Sequence, residues 1–276
     1  MVARAGRVQS SRGQPFGNVT RGTTNPNRLR RVDRWLAGPQ AWRLRRAADP
    51  LVVDLGYGAS PATAVELYHR LAAVRPDVHV AGIEIEPERV RLAKPWEHAG
   101  LSFHQGGFEI PVPGRPVVVR AFNVLRQYEE ADVPAVWAAV CARLGPDGIF
   151  VDGTCDEIGR RSTWVMLDGG GPVSLTLSLR FGSFALPSEV AERLPKALIH
   201  RNVPGEAVHG FLQGLDRAWL ATAPLAPFGN RQRFVAAGHR IRAAGWPLTD
   251  GPSRWRLGEL TVAWDAVRPG APYQGP

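Results

Sequence analysis

The segment LVVDLGYGASPAT, residues 51–63, constrains this chain more than any other: an apolar run of strand length, a turn holding Gly56 and Gly58, then the start of a helix pattern. Glycine adopts positive φ without cost and carries no Cβ, so a ligand can lie against the backbone where the helix begins. The exposed amides of that helix N-terminus favour an anionic group. A buried strand feeding a glycine turn and a helix opens a strand-helix-strand unit, and such units build parallel sheets covered by helices.

The unit then repeats. PATAVELYHRLAAVRP sets Val65, Leu67, Tyr68, Leu71 and Val74 at helical spacing; HVAGIEI reads as a second strand, PERVRLAKPWEHA as a second helix, LSFHQ as a third strand, PVVVRAF as a fourth, DVPAVWAAVCARL as a helix and GIFVDGT as a fifth strand. Five parallel strands with helices on both faces are expected over residues 50–155. From about 160 to 276 the pattern loosens: STWVML and VSLTLSLRF read as strands across Gly169, Gly170 and Gly171, a helical stretch covers 187–243, and ELTVAWDAV reads as a final strand. Residues 24–276 are therefore expected to form one catalytic domain, with a core at 50–155 and a substrate-side elaboration from about 160.

Residues 1–23 are rich in Gly, Ser, Arg and Gln, too poor in large apolar groups to offset the entropy of ordering, and are expected to form a mobile basic arm. After it, Leu29, Val32, Trp35 and Leu36 recur at helical spacing, with Thr24 or Asn25 as cap and Pro26 in the first turn. The other face of that helix carries Arg28, Arg30, Arg31 and Arg34, which reads as a solvated face or a ligand clamp.

The formal charge of +9 is concentrated at this end: residues 1–49 hold eleven arginines against Asp33 and Asp49, and the remainder is balanced. A localised positive segment attracts phosphate backbones or acidic partners, so nucleic acid is a candidate partner of residues 1–49. No apolar run approaches the ~18 residues of a membrane span, and no apolar segment follows the basic N-terminus as in a secretory signal, so a cytoplasmic protein is expected. Cys141 and Cys155, the only cysteines, lack CxxC spacing, and His200 and His209 lack HxxxH or HExxH spacing, so no metal is expected.

Asp54 ends the first strand, two residues before Gly56, and Glu84 closes the second strand thirty residues later. A carboxylate at the second position can accept both hydroxyls of a ribose, and one at the first can hold an ammonium. Glu86 is the neighbouring candidate acid. A dinucleotide-binding turn would need a third glycine where this chain has Pro61.

On these residues the chain resembles the class I S-adenosylmethionine-dependent methyltransferases: VVDLGYGASPAT is similar to their glycine-rich first motif and GIEIEP to their ribose-binding second motif. The resemblance covers roughly residues 50–155. It implies an α/β fold with a Rossmann-like methyltransferase sheet, mostly parallel with an antiparallel C-terminal strand and helices on both faces. It implies S-adenosylmethionine as cofactor, with Asp54, Gly56, Tyr57 and Gly58 on the methionyl side, Glu84 on the ribose, and the stretch after the fourth strand, from Asn123, near the reacting methyl. Ser60 stands where many members have a third glycine, and the adenine-side acid is replaced in HQGGFEIP, leaving Phe108 or backbone amides to meet the base.

The acceptor side is less explicit. The Asn-Pro-Pro-Tyr signature of exocyclic amine methylation and the Pro-Cys pair of pyrimidine attack are both missing from the sequence. Asp156 and Glu157, beyond the fifth strand, stand where open α/β sheets place ligands and are the candidate catalytic bases. Tyr128 is a candidate wall of the methyl pocket. His200, Arg201 and Asn202, between Pro195 and Pro204, are candidate substrate-lid residues. A small-molecule acceptor is the expected substrate; the alternative is an RNA-binding or RNA-modifying protein on the same scaffold, using the arginine-rich arm.

Overall fold

In a computed structural model residues 15–19 and 25–270 are described; the expected arm over 1–23 lies outside them apart from 15–19. The helices are α1 (Arg30–Ala37), α2 (Ala41–Arg46), α3 (Ala62–Ala72), α4 (Pro87–Ala93), α5 (Val133–Cys141), α6 (Lys196–Ile199), α7 (Ala207–Ala221), α8 (Asn230–Ala243) and α9 (Pro252–Trp255). The strands are β1 (Leu51–Leu55), β2 (His79–Glu84), β3 (Leu101–Gln105), β4 (Val118–Phe122), β5 (Ile149–Cys155), β6 (Arg161–Asp168), β7 (Gly171–Leu179) and β8 (Glu259–Ala263).

All eight strands form one sheet in the order β3-β2-β1-β4-β5-β6-β7-β8. The first five are mutually parallel, as the repeating units predict, and their order 3-2-1-4-5 is that of a doubly wound Rossmann-like sheet. Chain order reverses between β1 and β4, which opens a crevice at their C-terminal ends. The antiparallel part is wider than the single strand expected: β6, β7 and β8 form a meander beyond β5. The physical reason is the turn at Gly169 and Gly170, short enough to make β6 and β7 a hairpin, whereas a parallel return would need a crossover of a dozen or more residues.

Strand alternation divides the core into two layers. Leu51, Val53 and Leu55 face the layer of α5, α7 and α8, while Val52 faces that of α1, α3 and α4. On α3 the buried residues Thr63, Ala64, Leu67 and Leu71 make one stripe, and Pro61 precedes the first turn. Helix α1 buries Val32, Trp35 and Leu36 as its periodicity predicts, but it starts at Arg30 rather than near Asn25. Asn27 has φ of 60°, a left-handed conformation that interrupts the helix, and its amide donates to Glu66 at 2.7 Å. Glu86 lies beyond the end of β2 and caps α4, its side chain accepting from the Glu88 amide.

Among the described residues, no helix is long and apolar enough to cross a membrane, and no group of three or more metal-ligating side chains is gathered.

Candidate functional site

At the C-terminal end of β1 the chain reverses through Gly56 (φ 70°) and Gly58 (φ 85°), both in the left-handed region that excludes most side chains. The Gly56 amide donates to the Ile83 carbonyl at 2.7 Å, fastening the turn to β2. The Gly58 amide donates to Glu84 Oε2 at 2.9 Å, and the Ile85 amide donates to Glu84 Oε1 at 3.0 Å. Arg89 stands 3.5 Å from Glu84 Oε2. The buried carboxylate that closes β2 thus knits two strand-end loops together.

A small cavity opens at this crevice. Its walls are Leu55 and Gly56 after β1, Glu84 and Ile85 after β2, Gly106 to Phe108 after β3, and Val124 and Tyr128 after β4. Burial pushes the Tyr128 phenol up to about 12, with the Asn18 amide partly opposing, so the hydroxyl keeps its proton at neutral pH.

What covers the mouth was not anticipated from the sequence. Residues 15–19 cross the mouth as a strap, with Phe16 and Asn18 lining the cavity. The Phe16 amide donates to Glu109 at 2.8 Å, the Phe108 amide donates to the Phe16 carbonyl at 2.9 Å, and the Asn18 amide donates to the Tyr128 hydroxyl. Phe16 meets Phe108 edge-on at 5.6 Å between centroids. Gly107 permits this approach, since a Cβ there would lie 2.1 Å from the Phe16 carbonyl oxygen. With the strap seated the cavity holds about 20 Å³, enough for one water.

Of the expected cofactor residues, Gly56, Glu84 and Phe108 line this cavity, and Gly58 adjoins it through its bond to Glu84. Three others are turned elsewhere. Asp54 faces α1 and α3, because it lies opposite Arg120 in the β1–β4 register on that side of the sheet. There Arg120 Nε donates to Asp54 at 3.0 Å and the Thr63 hydroxyl donates to Asp54 at 2.8 Å, so each oxygen of this carboxylate has a buried partner. The same guanidinium pairs with Asp33, which also receives Arg70 at 2.7 Å. Burial alone would depress Arg120, but Asp54 and Asp33 overcome it and hold the guanidinium charged. Tyr57 packs edge-on against Phe103 at 5.2 Å between centroids, beneath the turn. Asn123, with φ of 60°, accepts the Cys155 amide at 3.0 Å and ties the end of β4 to that of β5.

The acceptor-side residues are scattered. Asp156 accepts the amides of Arg160 at 2.8 Å and Arg161 at 3.1 Å, closing the β5–β6 loop, so its oxygens are committed to the turn. Glu157 is exposed beside it. Arg201 pairs with Glu130 at 2.7 Å and lines a second, largely apolar cavity of about 550 Å³ with Trp137 and Trp264. His200 contacts Lys196 at 3.3 Å, and Asn202 contacts His209 at 3.1 Å. Tyr128 therefore belongs to the first cavity, while Arg201 belongs to the second.

No family model matches the chain, and no curated protein matches it by sequence. Among solved structures it is similar to the magnesium protoporphyrin IX methyltransferase of Synechocystis PCC 6803 with bound SAH, at 16% identity over 46% of this chain and 54% of that one, TM-score 0.36. It is similar to a SAM-bound amino pentose methyltransferase of Micromonospora echinaspora, at 20% identity over 56% and 69%, TM-score 0.32. Human N-acetylserotonin methyltransferase in complex with SAM matches at 20% identity over 48% and 39%, TM-score 0.33. The chain spans about half the length of the first of these.

Proposed function

We propose that this chain is an S-adenosylmethionine-dependent methyltransferase. One observation carries the reading: three successive parallel strand ends at the point of strand-order reversal bring a side-chain-free turn at Gly56, the carboxylate of Glu84 and the ring of Phe108 to a single cavity. This is where open α/β sheets bind ligands. Gly56 would face the methionyl part, Glu84 the ribose hydroxyls and Phe108 the adenine, while Tyr128 closes the far wall with its hydroxyl proton available to donate. When bound, the cofactor supplies a sulfonium-activated methyl group for in-line attack, so the protein's contribution is chiefly alignment.

The cradle fits such a ligand once the strap leaves. Pockets that enclose small molecules hold roughly 300 Å³ or more, so residues 15–19 must withdraw to admit a nucleoside. The acceptor is proposed to be a small molecule entering beside Tyr128, with Glu130, Arg201 and the apolar walls of the second cavity on its path. Glu157 is the candidate base, since the Asp156 carboxylate closes its own loop.

Isothermal titration of the full chain with S-adenosylmethionine and S-adenosylhomocysteine tests the reading. Saturable binding of both, weakened by Glu84→Ala, is expected; absence of binding to the full chain and also to a chain lacking residues 1–19 would overturn it.

A further inference from the structure

A third concave site stands at the same edge of the sheet, where β5 and β7 end and β8 begins. It is a cavity of about 480 Å³ whose wall includes Arg30, Arg31, Arg34, Arg160, Arg180 and Arg254. These come from four separate segments: α1, the β5–β6 loop, the residue after β7 and α9. Among the described residues, Glu259 is the only acid in the wall; it is buried and already paired with Arg254. No side-chain carboxylate among the described residues lies within ion-pair distance of Arg30, Arg34, Arg160 or Arg180, all of which are exposed to the hollow and solvent.

The cluster is built as well as charged. Arg31 is pinned at the base, donating to the Leu179 carbonyl at 2.9 Å, the Leu257 carbonyl at 3.1 Å and the Ser178 hydroxyl at 3.1 Å. The Arg180 amide donates to the Arg160 carbonyl at 2.8 Å, which holds those two side chains on neighbouring backbone. Burial lowers the Arg31 guanidinium, Glu259 opposes, and Arg30, Arg180 and Arg34 add to the lowering, a like-charge repulsion that a bound anion would relieve. A merely solvated arginine face would splay such groups outward; here they ring a hollow.

We infer that this cavity binds a compact ligand through two or more phosphate groups, such as a nucleoside polyphosphate or another small phosphorylated molecule. Guanidinium forks match phosphate oxygens in geometry and in charge. The volume lies in the range of small-molecule pockets. A track for single-stranded RNA would instead interleave aromatic rings for base stacking, and the described wall contains none. The site does not depend on the cofactor reading, and its test needs no methyl transfer.

Titration of the full chain with pyrophosphate, with ATP and with a short single-stranded RNA at constant ionic strength is the experiment. The expected result is saturable binding of pyrophosphate and ATP, weakened about tenfold by each of Arg34→Gln and Arg180→Gln and unchanged by Arg231→Gln, an exposed arginine on α8 outside the cavity. Thermal melts of each variant confirm folding; should either cavity variant unfold, Arg160→Gln serves in its place. The proposal is overturned if neither phosphate compound binds, or if Arg231→Gln weakens binding as much as the cavity variants. It is equally overturned if RNA is the tighter ligand, whether its binding is lost on removing residues 1–24 or on changing the cavity arginines.

Discussion

Glu84 accepts the Gly58 amide at 2.9 Å, so the carboxylate placed to meet a ribose is also the brace of the glycine turn. Glu84→Ala should therefore act twice. Stranding the amides of Gly58 and Ile85 should lower unfolding free energy by about 2 kcal/mol, and loss of the carboxylate should weaken S-adenosylmethionine at least about tenfold. Glu84→Gln keeps one acceptor and should recover most of the stability but less of the affinity. Urea unfolding beside calorimetric titration separates the two effects; a Glu84→Ala protein unchanged in both would remove Glu84 from the site.

The strap predicts a kinetic signature. Phe16 must leave Phe108 before a nucleoside enters, so Phe16→Ala or deletion of residues 1–19 should raise the association rate of S-adenosylhomocysteine several-fold in stopped-flow fluorescence. Equal rates in the full and shortened chains would mean that residues 15–19 do not gate the cavity.

Arg120 joins Asp33 and Asp54 with all three groups buried. Arg120→Met should cost about 3 to 5 kcal/mol, because it leaves Asp54 buried without a cation and Asp33 with Arg70 alone. Adding Asp33→Asn and Asp54→Asn to that variant should restore a large part. A single variant within about 1 kcal/mol of the parent in denaturant titration would contradict this account of the network.

Asp152 on β5 predicts a pH dependence. Its carboxylate is buried against Trp137, whose indole donates at 2.9 Å, and burial raises its pKa from 3.8 to about 7. The folded state then binds this proton more tightly than the unfolded chain, so ionisation costs stability progressively as pH rises from about 4 to about 7. Asp152→Asn should remove that decline and be more stable than the parent at pH 8 by on the order of 4 kcal/mol, with no advantage below pH 4. Parallel pH profiles for the two proteins would show that Asp152 does not ionise in this range.

The parallel half of the sheet was legible because each strand and helix announces its own period, and the turn at Gly56 and Gly58 was legible because backbone conformation dictates those residues locally. What escaped depends on partners distant in the chain. The pairing of Asp54 with its register partner Arg120 escaped, since nothing near either residue names the other. Phe16 and Asn18 look like tail residues because their contacts, Phe108, Glu109 and Tyr128, lie about a hundred positions away. The arginines of α1 face the β5–β6 loop and the end of β7, so helix periodicity revealed the charged stripe but not the hollow that completes it.

The buried Arg120–Asp33 pair spans 87 residues, with the acid made first. Synthesis at about 5 to 20 residues per second leaves Asp33 waiting roughly 4 to 17 s for this buried cation to emerge. Arg70, 37 residues after Asp33, can meet the acid first, so a nascent chain that stops short of β4 would hold α1 by this outer pair while lacking the guanidinium that fills the buried side of the network.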